Sequence, residues 1–249
     1  MQGGSAGGVD GLLVVDKPAG ITSHDVVDRV RRQLPGHRIG HGGTLDPLAT
    51  GVLLLLIGRA TKLAETLLAL DKSYDAVVTL GITTETQDLE GRVVTRQPVP
   101  PLSRDQVDQA CQAFRGQIEQ VVPAYSAVRF GGRRGYELAR AGRPVPERRR
   151  RVQITALEVQ AVAGDQVALR VTCSKGTYIR TLAHDLGQRL GCGGALQALR
   201  RTRVGPWSLA EAKSLPFVES QGQAVEALLQ PMSVLTRGLC ARGAHARGV

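Results

Sequence analysis

Apolar residues come in short runs separated by glycine, proline and charge. Residues 12–15 form one such run, which stops at DKPAG and reads as a strand. Thr22 or Ser23 can cap a helix running to residue 34, because Val26, Val27 and Val30 then share one face. PGHRIGHGG reads as a loop. Residues 52–57 are apolar at every position and predict a buried strand, residues 61–70 an amphipathic helix, and residues 74–80 another strand.

Further along, TTETQDLEG reads as a polar connection and residues 98–101 as a linker or turn. Ser103 is a natural cap for a helix reaching Phe114. Residues 121–151 are basic and irregular. Residues 151–159 and 166–173 alternate like paired strands around an AGD turn. A helix is expected over residues 178–190, an arginine-bearing strand over 195–204, and a last short helix over 225–229. Internal repeats are absent. Strands and helices do not alternate strictly, so the fold class expected is mixed α+β with a largely antiparallel sheet.

Composition narrows the choice of partner. Of 249 residues, 42% are hydrophobic, enough for a core, and the net charge is +10 with a pI near 10.1. A chain this basic is suited to a polyanion. Arginine outnumbers lysine 27 to 5; its planar fork fits phosphates and base edges, although codon bias gives the same skew. The start, MQGGSAGG, has no secretory pattern, and residues 52–57 are too short to span a bilayer. The four cysteines form no CxxC pair, which fits reduced thiols. A cytoplasmic protein without membrane contact is therefore expected.

The candidate chemistry lies in GHGGTLDPLATG, residues 40–51, just ahead of the apolar strand. An aspartate before proline is usually a turn residue. Here Pro47 forces Asp46 into extended backbone, Gly42 and Gly43 let another backbone approach, and the strand is a rigid wall. The segment lacks the lysine of a phosphate-binding loop and the third glycine of a dinucleotide fingerprint. His37 and His41 lack the further ligands of a metal site, so no metal is expected. A lone carboxylate can act as a nucleophile if it is ionised, which calls for a cation or hydrogen-bond donors. The distant candidate is KGTYIRTLAHDLG, where Tyr178 and Arg180 open a helix. Read singly, they are a packing tyrosine and a solvated arginine.

In order along the chain, DKPAGITS, GHGGTLDPLATGVL, DKSYDAVVTLG, VPAYSAVRFGGRRGYELAR, CSKGTYIRTLAHDLG and GGALQALRRTRVG resemble the bacterial tRNA pseudouridine-55 synthases, the TruB family. The resemblance covers about residues 10–235 and implies the pseudouridine synthase fold. It also implies isomerisation of uridine 55 in the T-loop of tRNA, with the base flipped out of its stack and no cofactor. Asp46 then corresponds to the catalytic aspartate, attacking either the ribose or the uracil ring, or working by a glycal route. Arg180 corresponds to the arginine paired with it, and Tyr74 to the tyrosine that stacks on the uracil and assists proton transfer. Tyr178 would line the pocket, His41 would fill the place of the flipped base, Leu199 would touch the target nucleotide, and Lys17 would support the backbone nearby.

Residues 129–151, extended by Arg200, Arg201 and Arg203, would face the tRNA arm, with affinity falling steeply as salt rises. Residues 1–8 read as a flexible leader, and the resemblance places a catalytic domain at 9–235 and a short tail at 236–249 without the C-terminal RNA-binding module of the PUA type. It implies a monomer with the T-arm of tRNA as partner and no obligatory protein partner. Gly42 departs from the larger residue usual in the family, so a more mobile loop is expected. Two other readings share these features: a non-catalytic tRNA-binding or chaperone protein on the same scaffold, and a synthase acting on other RNA with guide-RNA partners.

Overall fold

A computed structural model describes residues 9–236. The expected leader, and all but the first residue of the expected tail, lie outside the described residues. The elements in chain order begin with Gly11–Lys17 (β1), Ser23–Gln33 (α1), Ile39–His41 (β2), Thr50–Ile57 (β3) and Ala64–Leu68 (α2). Next come Lys72–Leu80 (β4), Ile82–Thr84 (β5), Val93–Arg96 (β6), Arg104–Gln112 (α3), Gly116–Val121 (β7), Arg129–Phe130 (β8), Arg133–Arg134 (β9) and Gly135–Arg140 (α4). The last are Arg149–Ala163 (β10), Gln166–Cys173 (β11), Ile179–Arg189 (α5), Gly194–Val204 (β12), Trp207–Ser208 (β13), Lys213–Ser214 (β14) and Leu215–Ser220 (α6). The chain forms two compact units, one of residues up to Lys72 together with those from Arg200, the other Ser73–Leu199.

In the first unit β3 is the central strand. One edge pairs antiparallel with all of β1, from Gly11↔Ile57 to Lys17↔Gly51. The opposite edge is shared: β12 takes Thr50 and Gly51 in parallel, and β2 takes Leu55–Ile57 antiparallel. Between these partners lies a short gap, and the loop of residues 42–49 leaves the sheet there. Both faces of β3 are covered. Leu53, Leu55 and Ile57 pack with Leu13, Val15 and the valines of α1, whereas Val52, Leu54 and Leu56 pack with Leu12, Val14, Leu67 and Trp207. Burial on two sides explains why this strand is apolar without alternation. Helix α1 starts on a capping box: the Thr22 hydroxyl accepts from the Asp25 amide, and the Asp25 carboxylate accepts from the Thr22 amide.

In the second unit the strand order is β12–β4–β11–β10–β7. The β10–β11 pair is an antiparallel hairpin with bulges near Thr155 and Gln160, and β7 closes the other edge of β10. β11 and β10 alternate buried positions with more exposed ones, and β4 alternates buried with half-buried ones, the signature of sheet with one face on a core. Helix α3, capped by Ser103 and Gln106, packs on β10. β1–β3, β2–β3, β10–β11, β7–β10 and β12–β13 pair antiparallel, whereas β1–β14 and β3–β12 are parallel, a mixed, mostly antiparallel arrangement that matches the fold class expected.

Strands β5, β6 and β7 and helix α6 fall where the sequence reading placed no regular element, and four of its assignments changed. The PGHRIGHGG loop contains β2, whose three residues are a strand only because β3 offers an open edge. The helix expected at 61–70 is a 3-10 turn, Gly58–Leu63, followed by the shorter α2, and the helix expected at 225–229 is the 3-10 segment Gly222–Leu228. The stretch 121–151 is not irregular throughout, because it holds the hairpin β8–β9 and α4.

Candidate active site

Asp46 sits in the loop that fills the gap beside β3, with its side chain partly buried. The loop leaves the sheet at Gly42, whose amide donates to Leu54 O at 2.8 Å. A β-carbon at Gly42 would lie 3.1 Å from Leu67 Cβ, so the missing side chain lets the loop lie directly on α2. Ser23 Oγ, from the start of α1, accepts from Leu45 N (2.8 Å) and donates to Leu45 O (3.1 Å). On the other side of Asp46, Pro47 O accepts from Gly20 N (2.9 Å) and from Lys17 Nζ (3.3 Å). Ala49 N donates to Asp46 O at 3.0 Å and closes the turn. Asp46 is thus held through its neighbours, and its backbone direction is set before any substrate arrives.

Arg201 completes the clamp. It is 2% exposed. Its Nε donates to Val52 O (2.7 Å), Nη1 to Thr44 O (3.2 Å) and Nη2 to Gly43 O (3.1 Å). The expectation that Arg201 extends a basic surface is therefore corrected, since its fork is spent on carbonyls of the loop and of β3. Arg200, next to it, is half-exposed and paired with Asp16 at 2.7 Å. Gly51 adopts φ +100°, and a β-carbon there would lie 2.2 Å from Arg201 O, so only glycine lets β12 approach. His41 ends β2, partly buried, with Nδ1 accepting from Gly43 N at 3.4 Å. Burial, then the charges of Arg201 and His24, push its pKa below the ordinary histidine value.

The remaining candidates belong to the second unit. Tyr74 lies on the buried side of β4 with Ala76 and Val78. Tyr178 is the residue just before α5. No side chain caps this helix; instead the buried Gln120 accepts from Tyr178 N (3.0 Å) and donates to Tyr178 O (3.1 Å), fixing where the helix starts. Arg180, in its first turn, is 5% exposed. Nη1 donates to Thr86 O (2.8 Å), Nη2 to Tyr125 O (2.9 Å), and Asp88 lies 3.7 Å away as a buried counter-charge. Leu199 is buried on β12.

Sequence reasoning missed the segment 86–88, taken as a polar connection. It seats Arg180, and Gln87 holds a left-handed backbone, φ 64°, while accepting from Thr181 Oγ1 at 2.9 Å. The available signal was Thr86 two residues before Asp88, whose hydroxyl–carboxylate bond (2.5 Å) makes a local turn. Exposed arginines crowd the neighbouring basic stretch: Arg129, Arg133, Arg134, Arg140, Arg143 and Arg148. Among the described residues no cluster of three His, Cys, Asp or Glu could hold a metal ion. No helix there is long and apolar enough to cross a membrane.

Family models for this arrangement match most of the chain. The N-terminal domain of the TruB family pseudouridylate synthases matches residues 31–179, and the C-terminal domain of tRNA pseudouridylate synthase B matches residues 180–236. The chain belongs to the TruB family. Similar proteins named tRNA pseudouridine synthase B occur in Aromatoleum aromaticum (49% identical over 91% of this chain and 74% of the relative) and in Opitutus terrae (47% over 85% and 88%). Among solved structures, a Cbf5–Nop10–Gar1 complex aligns with TM-score 0.69 and 30% identity over 89% of this chain. The TruB-family chain spans 60% of that neighbour.

Proposed function

We propose that this protein isomerises uridine to pseudouridine in tRNA, at position 55 of the T-loop. The bond from ribose C1′ to N1 breaks, the uracil turns, and C1′ bonds to C5. C5 loses its hydrogen as a proton and N1 gains one, so atoms balance without redox cofactor or ATP. Asp46 is the nucleophile, supported by Arg180. Tyr74 stacks on the uracil, Tyr178 lines its pocket, Leu199 touches the nucleotide, and His41 occupies the place the base leaves. The T-arm lies on the basic stretch of residues 129–151. Flipping a stacked base costs on the order of a few kcal/mol, which phosphate contacts and the pocket offset.

The observation that carries this reading is the clamped aspartate. Four residues beside it, Gly43, Thr44, Leu45 and Pro47, are held through their backbone by buried Arg201, Ser23 and Lys17. A passive turn has no use for two buried cations. Preorganisation of this kind is what a nucleophile requires. The names of the relatives support tRNA as substrate. Tritium release from tRNA labelled at uracil C5, followed by mapping of the modified position, tests both parts. Release with pseudouridine at position 55 is expected. No release removes the enzyme, and a different position removes the site.

A further inference from the structure

Arg201 contributes more than packing. Its fork is buried and bound to Gly43 O, Thr44 O and Val52 O. Three partners spread over both sides of the loop fix the position of Gly43, which has φ +138°. Gly43 N–H in turn donates to His41 Nδ1. A ring nitrogen that accepts cannot also hold the proton, so the hydrogen of the uncharged ring resides on Nε2. The charged groups facing the ring are Arg201 from β12 and His24 from α1, and β3 brings none. Both disfavour a second proton on the ring.

An uncharged histidine in this tautomer has one ring N–H to offer. Uridine's pairing edge likewise has one N–H, at N3, between two carbonyl acceptors. When uridine is extruded, whatever accepted its N3–H is left without a donor, which is costly in a closed RNA fold. A stacking wedge alone would leave that acceptor unsatisfied, whereas a ring carrying Nε2–H would not.

We propose that Arg201 is a positioning residue: by fixing Gly43 it sets the His41 tautomer, so that Nε2–H replaces the N3–H donor of the extruded uridine. This rests on the proposed tRNA reading, but its first half concerns the free protein. Nitrogen-15 spectra of histidine-labelled full-length protein give the tautomer directly. The wild type should show His41 with its proton on Nε2; a proton on Nδ1 overturns the proposal without any variant.

Arg201→Lys keeps the charge but offers one ammonium to three carbonyls. It should give a mixture of His41 tautomers and slow single-turnover conversion of a T-arm hairpin by at least about tenfold, with KM little changed. His41→Gln, which retains an N–H donor, should keep more activity than His41→Leu. If Arg201 acts through His41, adding Arg201→Lys to His41→Leu should cost much less than it does in the wild type. An unchanged tautomer in Arg201→Lys, equal losses for the two His41 variants, or additive losses in the double variant each overturn the proposal. Should wild-type protein make no pseudouridine in the hairpin, the uridine mimicry falls with the substrate reading, while the spectra still decide whether Arg201 positions His41.

Discussion

Lys17 and Pro47 are joined by a hydrogen bond from Nζ to the carbonyl, 3.3 Å long, across thirty residues of chain. Lys17 is 0% exposed, and the same ammonium donates to Pro18 O and Ile21 O. A buried cation is costly, so its retention beside Asp46 calls for a use. Lys17→Met keeps most of the side-chain volume and removes the donors. It should destabilise the protein by about 1–3 kcal/mol, the usual cost of buried acceptors left unpaired. The same change should lower kcat more than it weakens tRNA binding. Urea unfolding and single-turnover rates check this; a loss of stability without a rate effect would make Lys17 a packing residue only.

Asp46→Asn changes one oxygen for nitrogen in a side chain whose neighbours are all held through their backbone. The loop should keep its shape and tRNA binding should persist. Turnover should fall at least about a thousandfold, as for loss of a nucleophile acting with its partners. Filter binding and tritium release measured together separate the two; substantial residual turnover would remove Asp46 from the chemistry.

The outline of the site was readable from residue types, but its scaffold was not. Local chemistry marked α1, α3 and the β10–β11 hairpin, because Thr22, Ser103 and the AGD turn carry their own instructions. The loop at Asp46 announced itself through glycine and proline. The buried state of Lys17 and Arg201 did not, since a sequence prior places such side chains at the surface and only the folded loop supplies their acceptors. β2 was hidden for a similar reason: three residues, one of them glycine, carry too little pattern until β3 offers an edge. Segment 86–88 needed Arg180, 94 residues away at its Thr86 contact, to give it meaning.

The strand glycines that flank the loop are not equivalent. Gly51→Ala would place a methyl 2.2 Å from Arg201 O in a left-handed backbone, which should cost at least about 2 kcal/mol and loosen the β3–β12 contact. Gly40→Ala meets only Thr61 Cγ2 at 3.9 Å and should be nearly neutral. Thermal unfolding of the pair tests the contrast; equal effects would mean that β12 does not pack on β3 as described.

Arg180 and Asp88 form a buried ion pair at 3.7 Å. Arg180→Met strips Asp88 of that cation and the carbonyls of Thr86 and Tyr125 of their donors. Breaking such a pair typically costs about 3–5 kcal/mol, so part of any activity loss will be a folding loss. Arg180→Met with Asp88→Asn should recover stability without recovering turnover. Recovery of both would reduce Arg180 to a structural residue, and recovery of neither would mean the carbonyl contacts dominate.

His41 sets a pH window. Its pKa is lowered from 6.5, first by burial and then by Arg201 and His24. Between the lowered value and 6.5 the unfolded chain binds more protons than the folded one, so stability rises with pH there and this contribution is flat above. As pH falls through the window, the folded state must also lose its uncharged ring, and turnover should decline with stability. His41→Gln has no such titration. The difference in urea midpoint between wild type and His41→Gln, measured from pH 7.5 downward, should be constant at first and then move against the wild type below pH 6.5. A difference that stays constant to pH 4.5 would show that the ring is not shielded as its burial beside Arg201 requires.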